Sequence, residues 1–179
     1  MDWNVIVTVR AGPGAEHRVL GALARFGRFH ATVFRDVIVG RVLDVEALLG
    51  GVERAADEGR PWAAAVARVI PVEAVFPFGP ETLADRLKEA VAPFVARLAD
   101  GSFCVRVERR GFEGRLASAA VERAVGEHVH ALAEAAGRRM QTRFDDPDFI
   151  VVAETVGEEC GVALLDRALR ERHRLVQVR

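Results

Sequence analysis

The sequence has few cysteines and no long apolar run, and both absences exclude whole classes of protein. Only two of its 179 residues are cysteines, Cys104 and Cys160, and they lie far apart without a Cys-x-x-Cys pair. A disulfide framework or a zinc site is therefore not expected, and a reducing cytoplasm is the predicted compartment. The apolar runs are far shorter than the roughly 20 residues that cross a bilayer. The acidic, alternating N-terminus does not resemble a signal peptide.

Lysine is also scarce, and the chain carries no overall excess of positive charge. Lys88 is the single lysine among 25 basic residues, and the formal net charge is −1. Neutrality by itself argues against a nucleic-acid partner. The arginines, however, are grouped in segments 106–115, 138–143 and 167–174. Local basic patches can therefore exist on this neutral protein.

The first half of the chain alternates between strand-like and helix-like apolar periodicity. Asn4–Arg10 alternates with a period of two, and EHRVLGALARFG repeats at helical spacing. The predicted order is strand, helix, strand, strand, helix, strand, in which Asp44 caps the second helix and the last strand runs to Phe76. This is the ferredoxin-like order of two split βαβ units. A cluster of Pro and Gly at 77–81 predicts a domain boundary between residues 78 and 79.

The second half, residues 79–179, is predicted to be a separate α/β unit, which makes the chain α+β. A first helix should break at Pro93. The strand SFCVRVE and a long helix capped by Ser118 follow. DFIVVAE is apolar almost throughout, as expected of a central strand covered on both faces. GVALLD is expected to be a strand, and RALRERHR a basic connection.

Four segments in order resemble the THUMP-domain tRNA-binding proteins. Arg68–Phe76 looks like the end of the ferredoxin-like subdomain that usually precedes a THUMP domain, and Ser102–Val129 resembles the strand, basic turn and helix of that domain. DDPDFIVVAE resembles the family's Asn-Pro-Asp element, with Asp146 in place of the asparagine. Cys160–Val178 is similar to the C-terminus of the stand-alone adaptor of tRNA cytidine acetyltransferase.

The resemblance implies a protein that recognises tRNA. THUMP proteins commonly carry a catalytic domain, yet the motifs of thiouridine synthases, methyltransferases, deaminases and pseudouridine synthases are absent from this sequence. We therefore expect no enzyme, cofactor or metal. The expected partners are the acceptor stem and single-stranded CCA end of tRNA, together with a separate tRNA-modifying enzyme. Cytidine N4-acetylation is the narrower expectation.

Arginine and exposed aromatic side chains are the residue types expected to make these RNA contacts. Guanidinium groups neutralise phosphates and fix register, while aromatic rings stack on unpaired bases. The GFEG turn gives backbone freedom and open amides beside the first arginine group, and its phenylalanine is expected to be exposed at the tip. The predicted RNA-binding residues are Arg106, Arg109, Arg110, Phe112, Arg115, Arg138, Arg139 and Arg143.

Three aspartates surround Pro147 in front of the apolar strand. The spacing of Asp145, Asp146 and Asp148 lacks the further ligands and the glycine of a calcium loop. We expect Pro147 to hold the preceding residue extended, and an aspartate side chain to bond nearby amides and set the entry into the strand. Two alternatives remain open. One is an enzyme of unrecognised type that combines these aspartates with Cys160 and the histidines, and the other is a small-molecule regulatory module.

Overall fold

The computed structural model describes residues 2–178, and their packing divides the chain into two compact units. One unit contains the residues up to Val72 together with Ala168–Gln177, and the other contains Glu73–Arg167. Each unit has its own sheet. No helix within residues 2–178 has the length and apolar character needed to span a bilayer.

The first unit is a four-stranded antiparallel sheet with helices. Its strand order is β2-β3-β1-β4, with every neighbouring pair antiparallel, as the predicted succession of elements requires. The Asp44 carboxylate accepts a hydrogen bond from the Ala47 amide at 2.9 Å, so the predicted helix cap is present. The elements are β1 (Val5–Val9), α1 (Ala15–Leu23), β2 (Gly27–Ala31), β3 (Val37–Val42), α2 (Val45–Asp57), α3 (Pro61–Ala64) and β4 (Val66–Pro71).

The second unit is a five-stranded mixed sheet in the order β5-β9-β8-β6-β7. β6 runs parallel to both β7 and β8, and the other neighbours are antiparallel. β8 is central, as its apolar sequence predicted, and the α+β class is confirmed. The elements are β5 (Ala74–Pro77), α4 (Leu83–Val91), β6 (Gly101–Glu108), α5 (Ser118–Ala135), β7 (Met140–Thr142), β8 (Phe149–Val156) and β9 (Glu159–Asp166).

The core of the second unit lies between the sheet and the helices α4 and α5. β6 contributes Phe103, Val105 and Val107 to this core, as its alternation predicted. The periodic apolar positions of the two helices face the same cluster because residues three and four apart share one side of a helix. The helical residues of the core are Leu83, Leu87, Val91, Val121, Val125, Val129 and Ala133.

Several local predictions for these elements need correction. The strand expected to run to Phe76 is two strands, because Ala74–Pro77 pairs with β9 in the second sheet. The second compact unit accordingly begins at Glu73, and not at residue 79 as predicted. Ala117, not Ser118, occupies the N-cap of α5, and no side chain caps this helix end. The break at Pro93 is confirmed, since α4 ends at Val91 and a 3-10 turn follows.

The segment Ala168–Gln177 belongs to the first unit. A helix, α6 (Arg167–Arg172), occupies part of the predicted basic connection. The Leu175 carbonyl then accepts a hydrogen bond from the Val69 amide of β4 at 2.9 Å. His173 is buried and contacts the α2 carboxylates of Glu46 and Glu53. The tail therefore completes the first unit at residues far from it in sequence.

Candidate nucleic-acid interface

The aspartate cluster holds the entry into β8 against the start of β6. Asp148 Oδ2 accepts hydrogen bonds from the Ser102 amide at 2.9 Å and the Ser102 hydroxyl at 2.7 Å. These bonds, with the Arg167 guanidinium, lower the pKa of Asp148. Arg167 also binds the carboxylate of Asp146, which has a positive φ of 43°. The predicted hydrogen bond from an amide to an aspartate of the cluster is confirmed for Asp148. Asp146, which was expected to be extended before Pro147, lies instead in the left-handed region and binds Arg167.

The part of the chain that the structure describes contains no group of three or more His, Cys, Asp or Glu side chains that could hold a metal ion. Cys160 is completely buried in the core of the second unit. Burial raises the pKa of its thiol, and the charge of Glu154 adds to the shift. A thiol held neutral in this way is a poor nucleophile.

The segment from Arg138 to Phe144 follows the edge of the second sheet beside β6. The Arg139 carbonyl accepts a hydrogen bond from the Gly101 amide at 3.0 Å, and the Arg143 amide donates a hydrogen bond to the Phe103 carbonyl at 3.0 Å. Arg138 and Arg143 are exposed, and within residues 2–178 neither guanidinium has an ion-pair partner. Two cationic groups therefore remain available at this edge.

Arg139 differs from its two neighbours because an acid from the same unit binds it. Its Nε and Nη2 donate to Asp100 Oδ2 at 3.0 and 2.9 Å, and its amide donates to Asp100 Oδ1 at 2.8 Å. The backbone bond and then the guanidinium lower the pKa of Asp100. The side chain is still 91% exposed, so its remaining N–H groups face solvent.

Arg106 and Phe144 form a cation–aromatic pair at the same edge. The guanidinium carbon lies 5.2 Å from the ring centroid, and Arg106 Nη2 donates to the Phe144 carbonyl at 3.3 Å. The ring is 66% exposed, which is unusual for phenylalanine. Phe144 was not among the predicted RNA-binding residues. Its position directly after Arg143, in a segment without apolar periodicity, was the available signal.

The turn after β6 is less accessible than predicted. Arg110 binds the fully buried Glu154 at 2.5 Å, and its side chain is only 11% exposed. Phe112 packs on the core, with its ring edge-on to Phe78 at 5.5 Å, and is not the exposed aromatic that the sequence predicted. At the tip of the turn Phe112 has a left-handed φ of 52°. Both residues therefore stabilise the turn.

Arg109 and Arg115 are the remaining arginines of this turn. Arg109 Nη1 donates to the Gly111 carbonyl at 2.7 Å, which fixes the guanidinium over its own turn. Arg115 is exposed, and its closest carboxylate is that of Glu81 at 3.7 Å. An exposed pair of this length contributes little stability, so the Arg115 charge remains available.

A hollow of about 340 Å³ opens between α5 and the strands β6 and β7. Phe103 and Val105 form its apolar side, and Phe144 lies at its rim. The His130 ring lies edge-on to Phe103 at 4.9 Å, with its Nε2 3.0 Å from the Thr142 hydroxyl. The volume lies within the range of roughly 300–1,000 Å³ that small-ligand sites occupy.

Comparison with known families identifies the second unit. Residues 81–165 match the family model of the THUMP domain. The chain contains a THUMP domain. The arginine-rich edge, the Asp148 corner and the hollow all lie in or directly beside this domain. A search of curated proteins gives no match.

Solved structures share the fold of the chain at low sequence identity. TrmN from Thermus thermophilus aligns with a TM-score of 0.61 and 18% identity over 89% of this chain and 44% of its own. PH1313 from Pyrococcus horikoshii Ot3 gives 0.60 and 13%, over 92% of this chain and 54% of its own. A 4-thiouridine synthetase in complex with RNA and ATP gives 0.54 and 12%, over 92% and 41%. The chain thus spans about half the length of these proteins.

The predicted arginines of the THUMP domain lie at different positions along the length of β6. Arg138 and Arg139 lie beside the start of this strand, whereas Arg109 and Arg115 follow its end. At about 3.3 Å per residue these ends are roughly 20–25 Å apart. Arg106 and Arg143 lie between them. Arg138, Arg143 and Phe144 are exposed, and the half-buried Arg106 packs its guanidinium on the Phe144 ring. We call these four residues the β7 edge.

Proposed function

We propose that this chain binds tRNA at the acceptor stem and the 3′ CCA end and presents it to a separate modifying enzyme. A THUMP domain indicates RNA binding, and a solved structure with the same fold is an RNA complex of 4-thiouridine synthetase. The β7 edge is the observation that carries the proposal for this particular chain. Its arginines would contact phosphates, and Phe144 would contact an unpaired base.

The charges at the β7 edge support contact with RNA over contact with a protein partner. Arg138 and Arg143 keep their guanidinium groups in solvent although acids are abundant in the sequence. Phosphate oxygens match the donor geometry of arginine. An exposed phenylalanine beside such groups offers the stacking surface that unpaired bases use, and the CCA end supplies unpaired bases next to a duplex.

A presenting role is supported by what the polar residues of the THUMP domain do. Asp148 holds Ser102, Asp146 binds Arg167, and Cys160 is a buried core residue. Residues that could have formed a catalytic group thus serve the fold. The resemblance of the C-terminal segment to an acetyltransferase adaptor makes cytidine N4-acetylation the modification that we propose to test first.

Fluorescence anisotropy with a tRNA acceptor minihelix tests the binding proposal. We expect saturable binding at low salt that weakens when the CCA end is removed. The double variant Arg138→Ala/Arg143→Ala should lose about tenfold or more in affinity, because each phosphate contact contributes to binding. The variant Arg86→Ala/Lys88→Ala removes the same charge from α4 of the same unit and should bind normally. Absence of any binding at low salt would overturn the proposal.

The presenting role needs a separate measurement of modified nucleosides. In cells that lack the gene, mass spectrometry of total tRNA should show one modified nucleoside missing. The purified chain, supplied with acetyl-CoA, ATP and S-adenosylmethionine, should not form this nucleoside on the unmodified tRNA. The same chain added to extract of the deleted cells should restore it. Formation of the nucleoside by the purified chain alone would show instead that it is an enzyme.

A further inference from the structure

The hollow between α5, β6 and β7 has two walls, one formed by strands and one by a helix, and they differ in polarity. The strand wall is apolar, with Phe103 and Val105. The helix wall places Gly126 opposite Val105, and a Cβ built at Gly126 would lie 3.9 Å from the nearest Val105 methyl. The missing side chain at Gly126 therefore leaves room in the hollow. The exposed Glu127 lies beside it.

The rim of the hollow combines an aromatic ring with positive charge. Phe144 lines the opening, and the Arg106 guanidinium lies against its ring. Arg143 precedes Phe144 directly in the chain, so a phosphate next to a base held by Phe144 would lie close to a guanidinium. A flat apolar group with a neighbouring negative charge matches this arrangement, and a nucleotide has both features.

The polar groups of the hollow restrict which base fits. Glu122 already accepts a hydrogen bond from the Val107 amide at 2.8 Å, and the His130 and Thr142 side chains contact each other. Glu127 is the lining carboxylate for which no such bond occurs within the described residues. A carboxylate accepts hydrogen bonds and repels carbonyl oxygens, so it favours a base that presents an exocyclic amine.

We propose that this hollow binds one unpaired adenine or cytosine, stacked on Phe144, with its exocyclic amine donating to the Glu127 carboxylate. The inference rests on the proposed function and deepens it, because it assigns the base contact to one hollow and one class of base. Arg143 then contacts the adjoining phosphate, and the amino groups of the CCA end become the recognised feature. Arg123, which also lines the hollow, lies on the same helix wall.

The first test compares two minihelices, with and without the CCA end, on two variants. The wild-type chain should bind the CCA form more tightly by roughly 5- to 100-fold, the range that stacking of one base gives. Phe144→Ala removes the stacking surface, and Gly126→Leu fills the hollow. Both variants should lose this gain and still bind the blunt minihelix as the wild type does.

The outcomes separate this inference from the proposed function. Failure of the wild type to bind either minihelix would overturn the proposed function itself. A different outcome would be that Phe144→Ala and Gly126→Leu bind the CCA minihelix more tightly than the blunt one by the same factor as the wild type. That result would overturn only the assignment of the base to the hollow. Phe144→Tyr keeps an aromatic ring at the rim and should retain the gain. Since Phe144 is largely exposed, its replacement leaves the core of the unit intact.

The second test asks whether Glu127 recognises the exocyclic amine of the bound base. A minihelix ending in UUU presents carbonyl groups where CCA presents amines. Uracil can still stack on Phe144, so the wild type should gain some affinity from UUU but clearly less than from CCA. Glu127→Gln offers an amide that both donates and accepts. This variant should bind the two ends with similar affinity, within about threefold, which corresponds to less than one kcal/mol at 1.36 kcal/mol per tenfold. An equal gain from UUU and CCA in the wild type would overturn amine recognition.

Discussion

His173 is a buried titratable residue of the first unit, and each of its ring nitrogens contacts a carboxylate. Its Nε2 lies 2.6 Å from Glu46 Oε2, and its Nδ1 lies 3.0 Å from Glu53 Oε2. Burial lowers the pKa of His173, but the hydrogen bonds to Glu53 and Glu46 outweigh burial, and the net effect raises the pKa above its usual value. The ring is therefore protonated over a wider pH range and joins the tail to α2.

The stabilisation by His173 should depend on pH. Because its pKa is raised in the folded state, the contribution is complete below the unfolded value of about 6.5 and is lost as pH rises through the folded value. Urea unfolding of His173→Gln should show a loss of about 1–3 kcal/mol at pH 5.5 and a smaller loss at pH 9. His17→Gln, at an exposed position of α1, is the control and should lose little at either pH. Equal losses for His173→Gln at both pH values would contradict this account.

Arg110 illustrates how burial changes the role of a residue that the sequence assigned to RNA. The Arg110 amide donates to the Thr155 hydroxyl at 2.7 Å, and the guanidinium neutralises the buried Glu154. Removing one partner of a buried ion pair leaves the other charge unpaired, which costs about 3–5 kcal/mol. Arg110→Met should therefore be destabilised by this amount in urea unfolding, whereas Arg109→Met should lose at most about 1.5 kcal/mol. Comparable losses would contradict a structural role for Arg110.

The entry into β8 shows how one carboxylate joins two elements. Asp148 binds the amide and hydroxyl of Ser102 at the start of β6, and Arg167 after β9 donates to it at 3.3 Å. A Cβ added at Gly101 would lie 2.8 Å from Asp148 Oδ2, so the strand start approaches the carboxylate as only glycine allows. The corner therefore aligns β6, β8 and β9 at the edge that carries the arginines.

Replacing Asp148 should destabilise the THUMP domain more than replacing its neighbour Asp145. Asp148→Ala leaves the part-buried Ser102 groups without an acceptor, at a cost of about 1–3 kcal/mol. Since hydrogen bonds lower the folded pKa of Asp148, this stabilisation is present above pH 4 and lost as pH falls through the lowered pKa. Asp145→Ala is the exposed control, and chemical unfolding at pH 7 and pH 3 measures both. Equal stability of the two variants at pH 7 would contradict the role of the corner.

The elements that follow one strong periodicity were predictable, whereas those that depend on distant partners were not. The apolar DFIVVAE and the cap at Asp44 are local signals, and both predictions were confirmed. β7 has three residues and no pattern of its own, and it exists because β6 offers a parallel edge. The strand that was predicted to run to Phe76 is two strands because its first part, β4, pairs with β1 and its second part, β5, pairs with β9.

The candidate site was predictable in composition but not in geometry. Grouped arginines and an aspartate corner are visible in the sequence, and the family resemblance connects them to RNA. Whether an arginine reaches solvent depends on contacts from elsewhere in the chain, such as Glu154 at Arg110 and Asp100 at Arg139. Phe112 was predicted to be exposed because it lies in a glycine turn, and Phe144 was not among the predicted residues. In the structure Phe112 packs on the core, whereas Phe144 is exposed.

At the scale of the whole molecule, near-neutral charge and arginine pairing limit how many phosphates the chain can neutralise. The sequence has 25 basic and 26 acidic residues, and many arginines are bound to carboxylates within their own unit. Examples are Arg97 with Glu73, Arg167 with Asp146, and Arg174 with Asp57. The arginines of the β7 edge keep their charge for other contacts. A small electrostatic footprint on RNA follows from this pairing.

The salt dependence of minihelix binding measures this footprint. Each phosphate neutralised contributes about 0.7–0.9 to the slope of log affinity against log salt. If Arg106, Arg138 and Arg143 supply most of the contacts, the wild-type slope should be roughly −2 to −3. Arg138→Ala/Arg143→Ala should flatten it by about 1.4–1.8, whereas the matched Arg86→Ala/Lys88→Ala variant should keep it. A much steeper wild-type slope, or one that the β7-edge variant leaves unchanged, would mean that other arginines carry the phosphate contacts.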